Sequence, residues 1–253
     1  MVTRWAERTP DGFVMHVKAF AVMTRHPVKA EQLPPDLRES APVDDRGRVD
    51  RPPRELRAEV FARFYEALAP LRSAEKLGGI LLQFPSYVVF KGLSLDYLRW
   101  AVEQLEGDRP LVEFRHRSWL DDENRAQTLA VLEELGASHV IVDAPKTEAK
   151  NLVPTVISVT SPLAYVRMHG RNAETWNVRG GSASDRFDYL YSRDELAEWV
   201  AALREVSETA EEAYVLFNNN RWSRTPQGEI VAQAPANALT LGQLLADEGV
   251  PTG

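Results

Sequence analysis

The chain has 253 residues, a formal net charge of −7 at pH 7, 44% hydrophobic residues, 26% charged residues and no cysteine. That size and balance suit one globular α/β domain over residues 1–253, and the missing cysteines exclude disulfides, a thiol nucleophile and thiolate metal ligands. No apolar run reaches the roughly 18 residues of a membrane span. Residues 1–10 do not read as a signal peptide, and the acidic balance gives no overall attraction to nucleic acid; the expected location is the cytoplasm.

Residues 13–20 (FVMHVKAF) alternate in character and predict a first strand, with Lys18 on the face of Val14 and His16. Residues 27–53 are rich in Pro, Asp and Arg and predict a long, charged, mobile loop. Leu56, Val60, Phe64, Leu68 and Leu71 recur at helical spacing, so residues 54–76 predict a helix, stopped by Gly78 and Gly79. The continuous apolar run at 80–84 (ILLQF) suits a buried parallel strand.

A helix is expected over 93–105, a strand over 111–116 (LVEFRH), a helix over 121–135 and a strand over 138–143 (SHVIVD). Residues 164–171 (AYVRMHGR) alternate strictly, with Tyr165, Arg167 and His169 opposite Val166 and Met168. In a parallel barrel the apolar face meets helices, and Arg167 and His169 face the interior. Residues 172–184 read as a polar loop with Trp176, Gly180 and Gly181. Ser192 and Glu195 form a capping-box pattern for a helix to about residue 207. A last strand over 214–217 and a final helix over 236–245 complete six strands alternating with helices, the pattern of βα units.

In parallel sheets the carboxyl ends of the strands are where ligands bind. Those ends supply Lys18, Gln83, Glu113, Arg115, His116, Asp143, Arg167, His169, Arg171, Asn218 and Asn219. Glu113 and Asp143 are candidate bases, and His169 is a candidate acid because imidazole titrates near neutrality. Lys18, Arg115, Arg167, Arg171, Asn218 and Asn219 are candidate substrate contacts, the arginines as forks for phosphate or carboxylate. The bland alternative is an ion-pair network filling the interior, Glu113 with Arg115 or Arg167. Glu113, His116, Asp143 and His169 are metal-ligand types, but His116 has the wrong parity and no ligand spacing supports a site, so no metal is expected and no cofactor is indicated. Trp119 and Trp176 are candidates for stacking a sugar or base.

Seven motifs occur in order: WAERTP at 5–10, LLQFP at 81–85, VEFRHRSW at 112–119, YVRMHGR at 165–171, DYLYS at 188–192, FNN at 217–219 and ANA at 236–238. Together they resemble the YecE-like family, a group of TIM-barrel proteins of unknown function. The resemblance implies a TIM-type (β/α) barrel and no established reaction; that barrel is similar to the endonuclease IV group, a hint at phosphodiester chemistry by fold analogy alone. Family members resembling this chain begin with two further strands, so an incomplete barrel of about six strands is expected. The open edges imply either coding sequence upstream of Met1 or self-association.

Three readings follow. One is an enzyme of the hydrolase type that acts on an anionic, phosphate-containing substrate at the barrel mouth. Another is a nucleic-acid-binding protein using the same arginines, and the third is a non-catalytic barrel.

Overall fold

Two sets of parallel strands carry the chain, each built from short apolar runs that helices cover. The computed structural model describes residues 1–176, 183–224 and 228–252. The chain divides into two units, Met1–His116 with Leu135–Ala137, and Arg117–Glu134 with Ser138–Gly253.

In the first unit the strands are β1 (Met15–Lys18), β2 (Leu77–Gln83) and β3 (Pro110–Glu113). β1 pairs with β2 in parallel, placing Lys18 opposite Leu81, and β2 pairs with β3, placing Gln83 opposite Glu113. Ile80, Leu82, Leu111 and Val112 are fully buried, and Phe84 stacks on Phe114 with ring centroids 6.3 Å apart. Gly78 and Gly79, expected from sequence to stop a helix, lie inside β2 instead. A Cβ on Gly78 would sit 2.4 Å from Val14 and 2.7 Å from His16, so its missing side chain admits the residues beside β1.

The predicted helix over 54–76 is two helices, α1 (Arg54–Ala67) and α2 (Ala69–Ser73). Pro70, in the first turn of α2, has no N–H to continue the α1 ladder. The residues expected to form a mobile charged loop are built instead. Val28–Lys29 pairs antiparallel with Arg48–Val49, and Pro35–Ser40 is a short helix. Val28, Leu33 and Val49 are buried, and Arg38 donates to the carbonyls of Ala30, Glu31 and Leu33. Composition hid this because three apolar residues anchor a segment that is otherwise charged. Helix α3 (Gly92–Glu103) follows β2.

In the second unit the strands are β4 (Ser138–Asp143), β5 (Leu163–Met168) and β6 (Glu212–Phe217), parallel and paired in that order. Helix α4 (Arg125–Glu134) belongs to this unit. The expected helix from residue 192 is again two, α5 (Arg193–Ala197) and α6 (Val200–Thr209), and the capping box is present: Ser192 Oγ accepts from the Glu195 amide at 3.2 Å. Val166 and Met168 pack in a cluster with Leu196, Trp199, Leu203, Leu241 and Leu245. The helix-facing side of β5 is therefore the one its alternation predicts, and Arg167 lies opposite. After β6, Trp222–Arg224 and Ile230–Ala232 form an antiparallel pair that sequence periodicity missed, being only three residues each. Helix α7 (Gln233–Asp247) closes the unit.

Parallel strands alternating with helices give the expected α/β class. Among the described residues six strands are of this kind, two fewer than a closed eight-stranded barrel has. No helix among the described residues is long and apolar enough to cross a membrane.

Candidate functional site

Each unit assembles its own cluster of polar side chains. In the first, the parity of three adjacent strands aligns a row. Lys18 Nζ donates to Gln83 Oε1 at 2.8 Å, Gln83 Nε2 donates to Glu113 Oε1 at 2.9 Å, and Arg115 Nε donates to the same Glu113 oxygen at 2.6 Å. Gln83 is thereby held with its carbonyl toward the lysine and its amide toward the carboxylate. Glu113 is wholly buried, the Arg115 side chain is 18% exposed, and Lys18 is exposed, so the row runs from the interior to solvent.

His26, not singled out from sequence, belongs to this cluster. Its Nδ1 lies 2.9 Å from Thr24 Oγ1. Burial, then the positive charges of Lys18 and Arg115, push its imidazole down to about 4. The row therefore places two cations and one carboxylate beside a neutral histidine. The signal for His26 in the sequence was weak: a lone histidine in a short loop after β1 has no pattern of its own.

In the second unit Asp143, buried at the end of β4, is committed within the protein. It accepts from Arg171 Nε at 3.0 and 3.2 Å and from the Tyr191 hydroxyl at 2.5 Å. The Tyr191 hydroxyl also accepts from the Gly170 amide at 2.8 Å. Burial and then the charge of Asp143 push the Tyr191 phenol far above its ordinary range. Arg171 reaches Glu198 at 3.0 Å as well, and although burial opposes its charge, the bonds to Asp143 and Glu198 raise its pKa. Gly170 is held at φ +87°, where a Cβ would lie 2.6 Å from the Tyr189 Cβ. The RMHGR and DYLY motifs thus lock together: the glycine admits Tyr189, and Tyr191 bridges the glycine amide to Asp143.

His169 is fully buried, with Asn218 Nδ2 3.2 Å from its Nδ1 and the rings of Phe187 and Trp176 at 5.5 and 6.4 Å. A donating Asn218 amide places the imidazole proton on Nε2. Asn219 donates to the Tyr189 carbonyl at 2.8 Å and to Asn237 Oδ1 at 2.7 Å. Asn237 in turn exchanges hydrogen bonds with the Tyr191 backbone. FNN and ANA are therefore halves of one buried amide network, a link that spacing along the chain does not reveal.

The structure joins Lys18, Glu113 and Arg115 in one unit, and Asp143 with Arg171 and His169 with Asn218 in the other. Arg167, half-buried, lies on the β5 face opposite the helix cluster. Trp119 and Trp176 are both buried, which suits a packing role better than an exposed stacking platform. Gly180 and Gly181 lie outside the described residues. No group of three or more His, Asp or Glu side chains among the described residues converges as a metal site.

Comparison with known proteins agrees with this architecture. Residues 1–252 match the family described as protein of unknown function DUF72. The chain is 33% identical over 222 residues to the UPF0759 protein YunF of Bacillus subtilis, covering 86% of this chain and 71% of that one. A crystal structure of a DUF72 family protein from Enterococcus faecalis superposes with a TM-score of 0.76 at 27% identity, over 97% of this chain and 78% of the other. One from Thermotoga maritima gives 0.71 at 30% identity, over 96% and 77%. With a match over nearly its whole length, the chain belongs to the DUF72 family, the YecE-like group to which its seven motifs pointed.

Proposed function

We propose that the protein binds a phosphate-containing small molecule at the carboxyl ends of the strands of its first unit. The observation that carries this reading is the Lys18–Gln83–Glu113–Arg115 row, whose two cations also weigh on His26. Side chains from three strands converge there, and the row rises to an exposed lysine. Lysine and arginine are donors that phosphate oxygens accept from, and Glu113 is the carboxylate placed to accept a proton if the ligand is turned over. Asp143 and Arg171 enter the reading as braces, since their strongest partners lie within the protein.

The test is calorimetric titration with phosphorylated small molecules and their dephosphorylated parents. Binding should require the phosphate. Lys18→Gln, at an exposed position, should weaken it about fivefold or more, in line with one charge-assisted contact. Arg204→Gln, at an exposed ion pair with Glu248 in the second unit, should leave it unchanged. Equal weakening by both substitutions would refute the reading. Tighter binding of a single-stranded oligonucleotide with a steep salt dependence would favour the nucleic-acid alternative.

A further inference from the structure

The first unit carries a second group of cations that shares no residue with the Lys18–Arg115 row. It surrounds the N-terminus of α3. Lys91, the N-cap residue, supplies no side-chain cap. The Ser94 and Leu95 amides both donate to the Lys91 carbonyl, at 2.8 and 3.0 Å. The Gly92 and Leu93 amides come earlier in the turn, where an α-helix offers no acceptor of its own.

A small cleft of about 40 Å³ opens at this end, lined by Arg25, Arg51, Tyr87, Val88, Lys91 and Ser94. One water needs roughly 10–15 Å³ on the same measure. The cleft therefore suits a group of a few heavy atoms, not a whole nucleoside. Three of its six lining residues are cations, in a chain whose net charge is −7.

Among the described residues these cations are only weakly paired. Arg51 approaches Asp50 at 3.9 Å, with both side chains largely in solvent. Arg25 lies 4.9 Å from the Tyr97 ring centroid, and Arg57 lies 4.8 Å from the same centroid, so two guanidinium groups share one ring. Burial, and beyond it the like charges of Arg57 and Arg51, act against the Arg25 guanidinium, and a bound anion would offset both. Ser94 supplies an independent sign. It is 3% exposed, it lines the cleft, and its hydroxyl has no hydrogen-bond partner among the described residues. Buried hydroxyls are seldom left in that state.

The geometry points to a binding site for a phosphate group, free or as a monoester of a small ligand, formed by the start of α3 with Arg25, Arg51, Lys91 and the Ser94 hydroxyl. A tetrahedral oxyanion fits because its acceptors point several ways. Amides can meet it along the helix axis, the hydroxyl from the first turn, and the three cations from the surrounding loops. A carboxylate, with two oxygens in one plane, would leave part of that donor set unused.

The experiment is a two-dimensional NMR titration of the full chain with inorganic phosphate against chloride at constant ionic strength. The amides of Gly92, Leu93 and Ser94 should shift saturably. The double variant Arg51→Gln/Lys91→Gln should weaken that binding about tenfold, the equivalent of two modest charge contacts. Ser94→Ala should weaken it about threefold while the thermal midpoint holds or rises, because an unpartnered buried hydroxyl has been removed. The inference is overturned if those amides do not shift, or if the double variant binds within twofold of the parent. It is also overturned if Ser94→Ala lowers the midpoint and leaves affinity unchanged, which would make the hydroxyl structural. Lys18→Gln is the parallel arm. It reports on the strand-end row and should leave the α3 amide shifts intact, so the two sites fail separately.

Discussion

Replacing Asp143 by alanine separates a brace from a catalytic base. The carboxylate is 1% exposed and holds three bonds from two side chains, Arg171 and Tyr191. Removing it strips the Tyr191 hydroxyl of a charged acceptor, worth about 1.5–3 kcal/mol. It also breaks a buried ion pair, for which losses of roughly 3–5 kcal/mol are typical. Arg171 keeps Glu198 at 3.0 Å and its side chain is 13% exposed, so the lower end applies. We expect Asp143→Ala to lose about 3 kcal/mol, or about 6–12 °C in melting midpoint for a chain of this size. Tyr191→Phe, which removes the hydroxyl between Gly170 and Asp143, should lose about 1.5 kcal/mol. The pair should be non-additive by at least ~1 kcal/mol, since both changes delete the same bond. Urea unfolding followed by tryptophan fluorescence measures all three. A loss below ~1 kcal/mol for Asp143→Ala, or simple additivity with Tyr191→Phe, would show that the bridge does not hold this unit together.

Two further outcomes test other parts of the structure. Gly170→Ala meets both a φ of +87° and a contact of 2.6 Å with Tyr189, whereas Gly136→Ala meets a φ of +60° and open space. Gly136→Ala should lose about 1 kcal/mol and Gly170→Ala at least ~2 kcal/mol more; similar losses in urea titrations would remove the argument that Gly170 exists to admit Tyr189. His139 is buried, its Nε2 lies 3.2 Å from the Val156 carbonyl, its Nδ1 is unpartnered among the described residues, and burial pushes it down to about 4. The unfolded chain takes this proton near pH 6.5 and the folded chain only near 4, so stability falls as pH drops through that window, by up to ~1.4 kcal/mol per unit. His139→Leu should flatten the decline between pH 6.5 and 4.5 by about 2 kcal/mol; an unchanged slope in urea midpoints would show that His139 does not carry it.

The sequence by itself determined the periodic parts of this protein. Alternation at Val166, Arg167 and Met168 told which face of β5 meets helices, because a strand's two faces are set by backbone geometry before any partner is chosen. The Ser192–Glu195 cap was legible for the same reason, being completed within one helical turn. The alternation of strands and helices also gathered Lys18, Gln83 and Glu113 at the carboxyl ends of their strands. Only tertiary structure decided what these residues do. Asp143 and Arg171 look alike as site residues on paper, yet Tyr191 and Glu198, brought from a later loop and from the turn between α5 and α6, draw them into a brace. Gly78 and Gly79 read as a helix stop, but the missing Cβ of Gly78 answers Val14 and His16, more than sixty residues earlier. His26, Ser94 and the Arg25–Arg51–Lys91 group carry no spacing signal at all. Their chemistry comes from burial and from charges that meet across loops, and such fields depend on distances in space, which the order of residues along the chain does not fix.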